Sequence, residues 1–130
     1  MSYDWNQPLL PGTIVCSNFN NFNGEKTVGL FVILYDEQLD TTVTDSKNVI
    51  ALKLSTKNTC ISNYVVNINR ELNDFLDDDC IVCCGKLHTL HKREQVYKVL
   101  GRLNPITFKM VYKVYQKFSQ EINRQMINIL

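Results

Sequence analysis

With 130 residues, 45% of them hydrophobic, the chain can close one core and is too short for two ordinary domains, so residues 1–130 read as one domain. No run of 18 apolar residues exists, and the start MSYDWNQPLLPGT lacks a charged region leading into an apolar one, so neither a membrane-spanning helix nor a secretory leader is expected and a cytoplasmic protein is. The net charge of +1 conceals a split, with nine Lys or Arg against two Glu in residues 86–130 and four basic against nine acidic residues in 34–85.

That split leaves two readings open, an anion-binding or nucleic-acid-binding surface and a solvated basic helix beside an acidic loop. In chain order, Pro11-Gly12 signals a turn, and residues 13–16 form a short run that predicts a first strand. The next stretch, SNFNNFNG, is rich in Asn and closed by Gly, which predicts a loop. Its aromatics, Phe19 and Phe22, either contact a partner or fold back over the core. Residues 28–35, VGLFVILY, are the most apolar segment and predict a central strand. The acidic run DEQLDTTVTDSKN has no helical period and predicts a connecting loop.

Residues 49–54 predict a strand with Val49, Ala51 and Lys53 on one face. It ends in Ser55-Thr56-Lys57-Asn58, which suits either an anion contact or an ordinary turn. Residues 61–69 alternate as a half-exposed strand does, and Asp77, Asp78 and Asp79 then form a solvated turn, since they lack the alternating ligands, central Gly and distal Glu of a calcium loop. The charge-free run 80–84 predicts a buried strand, followed by a polar turn bearing Lys86, His88, Thr89 and His91 and by a further strand ending at Leu103. Side chains at such a rim can reach a ligand.

After Leu103 the period changes. Asn104 is a good N-cap and Pro105 suits the first helical position. Phe108, Val111, Tyr115, Phe118, Ile122 and Met126 then make one apolar stripe, with Lys109, Lys113, Lys117 and Arg124 off it, which predicts a helix lying on the sheet.

The five cysteines, Cys16, Cys60, Cys80, Cys83 and Cys84, are expected to be reduced and packed. A strand sends Cys80 and Cys83 to opposite faces, which argues against a zinc site with His88 and His91. Thiols in an apolar run are also poor nucleophiles, and no Gly-rich phosphate cradle exists. What the residue types leave is acid–base work by His88 or His91 with lysine and hydroxyl partners, the minimum equipment for RNA cleavage. No cofactor and no metal are expected.

The order of these pieces, with CCGKLHTLHK, a strand ending GRL and a terminal helix, resembles the MazF/PemK (Kid, CcdB-like) toxin family over about residues 11–120. The segment from Cys83 to Leu90 is similar to the family's C-x-Q-[IL]-R-T-[LIV]. The resemblance implies a mainly β fold with a C-terminal α-helix, an SH3-like β-barrel, a homodimer, an antitoxin partner, and metal-independent cleavage of single-stranded RNA. It places His88 at the family's Arg, Lys86 at its Gln, and Thr89 and Ser55 at its hydroxyls. Val28-Gly29 stands where the family has Arg-Pro, so the electrostatic role passes to Lys26. The catalytic set implied is His88, Lys26, Ser55 and Thr89, with Lys57, Lys86, His91 and Lys92 contacting RNA. The other reading open to the sequence is a barrel without catalysis that binds a protein or nucleic-acid target, as a host-takeover or defence-inhibiting protein of a phage or mobile element would.

Overall fold

The computed structural model describes residues 6–21, 23–39, 47–56 and 63–129. Expectations placed on Phe22, Lys57, Cys60, the start of the 61–69 strand and most of the acidic loop lie outside the described residues. Six strands precede one long helix: β1 (Thr13–Asn20), β2 (Lys26–Asp36), β3 (Asn48–Ser55), β4 (Val65–Ile68), β5 (Cys80–His91), β6 (Val96–Arg102) and α1 (Pro105–Ile129). The strands form one sheet in the order β4-β5-β3-β2-β1-β6, every pair antiparallel. Among the described residues the end strands β4 and β6 do not pair, so the barrel is not closed, while the mainly β fold with a C-terminal helix is the one expected.

Strand β2 lies near the centre because it is apolar on both faces. Phe31, Val32, Ile33 and Leu34 are all buried, and alternation sends Val32 and Leu34 to one face and Phe31 and Ile33 to the other. Two cores result. One joins Ile14, Val32, Leu52, Val82 and Cys84 to Val111 of α1. The other, on the opposite face, gathers Leu9, Val15, Phe31, Ile33, Val49, Ala51, Leu90 and Val96.

The chain enters β1 through the Pro11-Gly12 turn. Gly12 has φ of +90°, which side-chain-bearing residues rarely adopt, while its amide donates to Ile33 and its carbonyl accepts from Leu103. Two strands are longer than the sequence suggests. Residues 17–20, expected in a loop, continue β1 by pairing with β2 from Gly29 back to Lys26. The polar segment after Gly85, expected to be a turn, continues β5 as far as His91, and the real turn spans residues 92–95.

Helix α1 starts as its cap dictates, with the Asn104 side chain accepting from the Ile106 amide at 2.9 Å. Asn73 clamps this corner: its carbonyl oxygen accepts the Asn104 amide at 2.8 Å while its amide donates to Asn69. Asn104→Ala should therefore lower unfolding free energy by about 1 kcal/mol in a urea titration. The apolar stripe covers the sheet only as far as Phe118, whose ring meets Tyr64 at 5.4 Å. Farther on, Ile122 and Met126 are 40% and 58% exposed. The helix is 25 residues long, about 37 Å, and its last turns carry this exposed part of the stripe. No described helix is long and apolar enough to cross a membrane.

The thiols divide. Cys80 and Cys84 are free and buried and Cys16 is free and half-buried, but Cys83 is disulfide-bonded, which corrects the expectation of reduced cysteines throughout. Burial pushes the Cys84 thiol up to about 12, and burial followed by Asp78 and Asp79 raises Cys80, so neither offers a thiolate at neutral pH.

Candidate functional site

An aromatic and cationic cluster occupies the sheet face opposite α1. Because β1 runs on to Asn20, Phe19 is a strand residue, set beside Gly29 on β2. A Cβ on Gly29 would stand 2.9 Å from the Phe19 ring and 3.4 Å from the Lys53 side chain, so the missing side chain is the space in which both lie. The Phe19 ring meets Phe31 edge-on at 5.3 Å, and the Lys53 ammonium sits 4.9 Å from the Phe19 centroid.

His88 reaches this face through an irregularity in β5. Ala51 lies opposite His88 and Lys53 opposite Cys83, so residues 84–87 of β5 are accommodated against Leu52 alone. The phase of the strand reverses there. Cys80, Val82 and Cys84 belong to the helix-side core, whereas Leu90, also even-numbered, belongs to the other. His88 thus packs edge-on against Phe31 at 5.1 Å and Phe19 at 6.3 Å, half-exposed at the border of the second core. Burial lowers its pKa to about 4, helped by Lys86 and then Lys53, so the imidazole is neutral at pH 7 with two ammonium groups near it.

The other expected site residues separate. Lys86 is exposed and close enough to His88 to depress its pKa. Lys26 lines a cavity of about 270 Å³ with Asn18, Phe19, Asn20, Glu94 and Gln95, beside the cluster. Thr89 follows His88 in the strand, so its side chain leaves on the opposite face. Ser55 pairs with Ile81 beyond the irregularity, four residues or about 13 Å along β3 from the residue opposite His88. The two hydroxyls are therefore not gathered at the imidazole. His91 holds the β5–β6 turn, its Nδ1 accepting the Glu94 amide at 3.2 Å.

Lys92 corrects the expectation of an RNA contact. It is fully buried, its ammonium 2.7 Å from the Asp36 carboxylate and hydrogen-bonded to Gln38 as well. Lys53 and Phe19 are the members that sequence reasoning left out of the site. The available signal was Lys53 itself, a charge in phase with Val49 and Ala51 in an otherwise apolar strand.

No protein-family model matches the sequence, and no curated protein does. Solved structures do. A mycobacterial endoribonuclease in complex with its cognate antitoxin is 18% identical with a TM-score of 0.65, covering 86% of this chain and 95% of that one. MazF from Deinococcus radiodurans is 11% identical with a TM-score of 0.67, covering 88% of this chain and 98% of its own. MazE–MazF from the same organism is 13% identical with a TM-score of 0.64, covering 90% and 98%. The chain has a MazF/PemK-like fold, and at these identities the likeness is one of fold.

Proposed function

We propose that the chain is a MazF-like toxin, an endoribonuclease that cleaves single-stranded RNA without a metal. The observation that carries this reading is His88, a half-exposed imidazole kept neutral beside Lys53 and Lys86. A neutral imidazole can accept the proton of a ribose 2′-hydroxyl. The 2′-oxygen then attacks the adjacent phosphorus, the bond from phosphorus to the 5′-oxygen breaks, and that oxygen takes a proton from water. The products are a 2′,3′-cyclic phosphate and a 5′-hydroxyl. Lys53 and Lys86 stabilise the charge that builds on the phosphorane oxygens. Phe19 and His88 offer rings against which an unpaired base can stack.

A cognate antitoxin and a homodimer belong to the same reading. Tyr97 and Val99, 50% and 38% exposed on the end strand β6, are apolar surface of the kind that a second copy would cover.

The separation of Ser55 and Thr89 from His88 favours a second reading, a barrel-like sheet that binds its target and does not cut. Incubation with a long single-stranded RNA, with and without chelator, decides between them. Fragments ending in cyclic phosphate in both samples support the nuclease, and RNA that is bound but intact supports the binding protein.

A further inference from the structure

The surface around His88 is cationic, and Glu94 is out of place in it. Glu94 is one of the residues that line the 270 Å³ cavity, with Phe19 and Lys26. Neither Glu94 nor Lys26 belongs to an ion pair among the described residues. A carboxylate next to a phosphate-binding surface repels the backbone it adjoins, so it opposes binding unless it accepts hydrogen bonds from something the phosphates bring with them. The donors available on single-stranded RNA are its ribose 2′-hydroxyls, which every nucleotide carries, and the edges of its bases, which alone can give a preference.

Only one base offers a carboxylate two adjacent N–H groups. Guanine presents N1–H and an N2 amino hydrogen side by side, matching the two oxygens of Glu94, with the O6 acceptor next in line for an ammonium such as Lys26. Adenine and cytosine each put one donor beside an acceptor nitrogen, which a carboxylate repels, and uracil has a single donor between two acceptors. Phe19 supplies an aromatic surface for the base, and its strand neighbours Asn18 and Asn20 line the same cavity.

The elements that hold these groups are rigid. The Gln95 side chain donates to the Asn18 carbonyl at 3.1 Å and accepts from the His91 amide at 2.7 Å, which ties the 92–95 turn to β1. Glu94 sits in that turn, and its own amide donates to His91. The turn therefore presents the carboxylate from a hairpin fixed at both ends.

We infer that the cavity lined by Phe19, Lys26 and Glu94 is a subsite for one unpaired guanine, which rests on the RNA reading above and gives it a sequence preference. The test is fluorescence anisotropy at constant salt with short uridine oligomers carrying a single central guanine, inosine or adenine. Guanine should bind about tenfold to a hundredfold more tightly than adenine, with inosine, which lacks the N2 amino group, in between. Glu94→Gln should remove the preference and strengthen binding of the adenine oligomer, because a repulsive charge has gone. Equal affinities for the three oligomers, or a preference that survives Glu94→Gln, would overturn the subsite and leave RNA binding standing. If no oligomer binds at low salt, the RNA reading fails. The subsite is then decided by NMR with free GMP against AMP: shifts at Phe19 and Glu94 with GMP alone support it, and their absence overturns it.

Discussion

Lys92→Ala should cost about 3–5 kcal/mol of folding stability, because it leaves a carboxylate buried without its counter-charge. Both members of the pair have no exposed side-chain surface. Asp36 spends its oxygens on three donors, the Lys92 ammonium, the Leu9 amide at 2.7 Å and the Gln38 amide at 2.9 Å. One carboxylate thus fastens the segment before β1, the end of β2 and the β5–β6 turn. A loss of this size is a large share of the stability of a small domain. The pair's net worth is a separate quantity, and a neutral replacement measures it. Lys92→Met with Asp36→Asn removes both charges and keeps an amide oxygen for one of the two backbone donors, Leu9 or Gln38, so it should recover part of the loss. Urea unfolding midpoints for the single and double variants give the comparison. A single variant within about 1 kcal/mol of wild type would sink the idea that Asp36 depends on Lys92.

Local signals carried the parts of the fold that were legible in advance. The unbroken apolar run of β2 and the Asn104-Pro105 start of α1 need no distant residue to be recognised. Lys92 was illegible for the opposite reason, since its partner Asp36 lies 56 residues away and a lysine in a polar stretch reads as surface. The continuation of β5 through KLHTLH was hidden by composition, because half-exposed strand positions and turn positions use the same polar residues. Alternation counted from Cys80 puts His88 on the helix side. Only the accommodation of residues 84–87 against Leu52 moves it to the face with Phe19 and Lys53, and a pairing irregularity leaves no trace in a single sequence. Phe19 was visible as a loop aromatic with two possible fates. Pairing of Asn18 and Asn20 with Val28 and Lys26 fixes it in β1.

His88→Ala should lower RNA cleavage by about 10²-fold to 10⁴-fold, the range for losing a positioned proton acceptor. The fold should survive, since His88 lies half-exposed at the border of its core. The pH behaviour separates a proton-transfer role from mere packing. In the free protein the folded pKa of about 4 lies below the ordinary histidine value of 6.5, so the unfolded chain binds the proton more readily between these values. His88 therefore makes stability rise with pH from about 4 to about 6.5 and takes that share away as pH falls through the window; His88→Gln should flatten it. Two of the causes of the low value, Lys86 and Lys53, are charges that an RNA phosphate would offset. Bound RNA should then raise the His88 pKa, placing the acid limb of kcat at higher pH than the acid limb of kcat/KM, which reports the free protein. Lys53→Ala should raise the pKa in the free protein for the same electrostatic reason, readable from the His88 ring proton shifts. If His88→Ala cleaves as fast as wild type, or if the two limbs coincide and RNA leaves the His88 titration unmoved, the imidazole only packs on Phe31 and the reacting proton passes elsewhere.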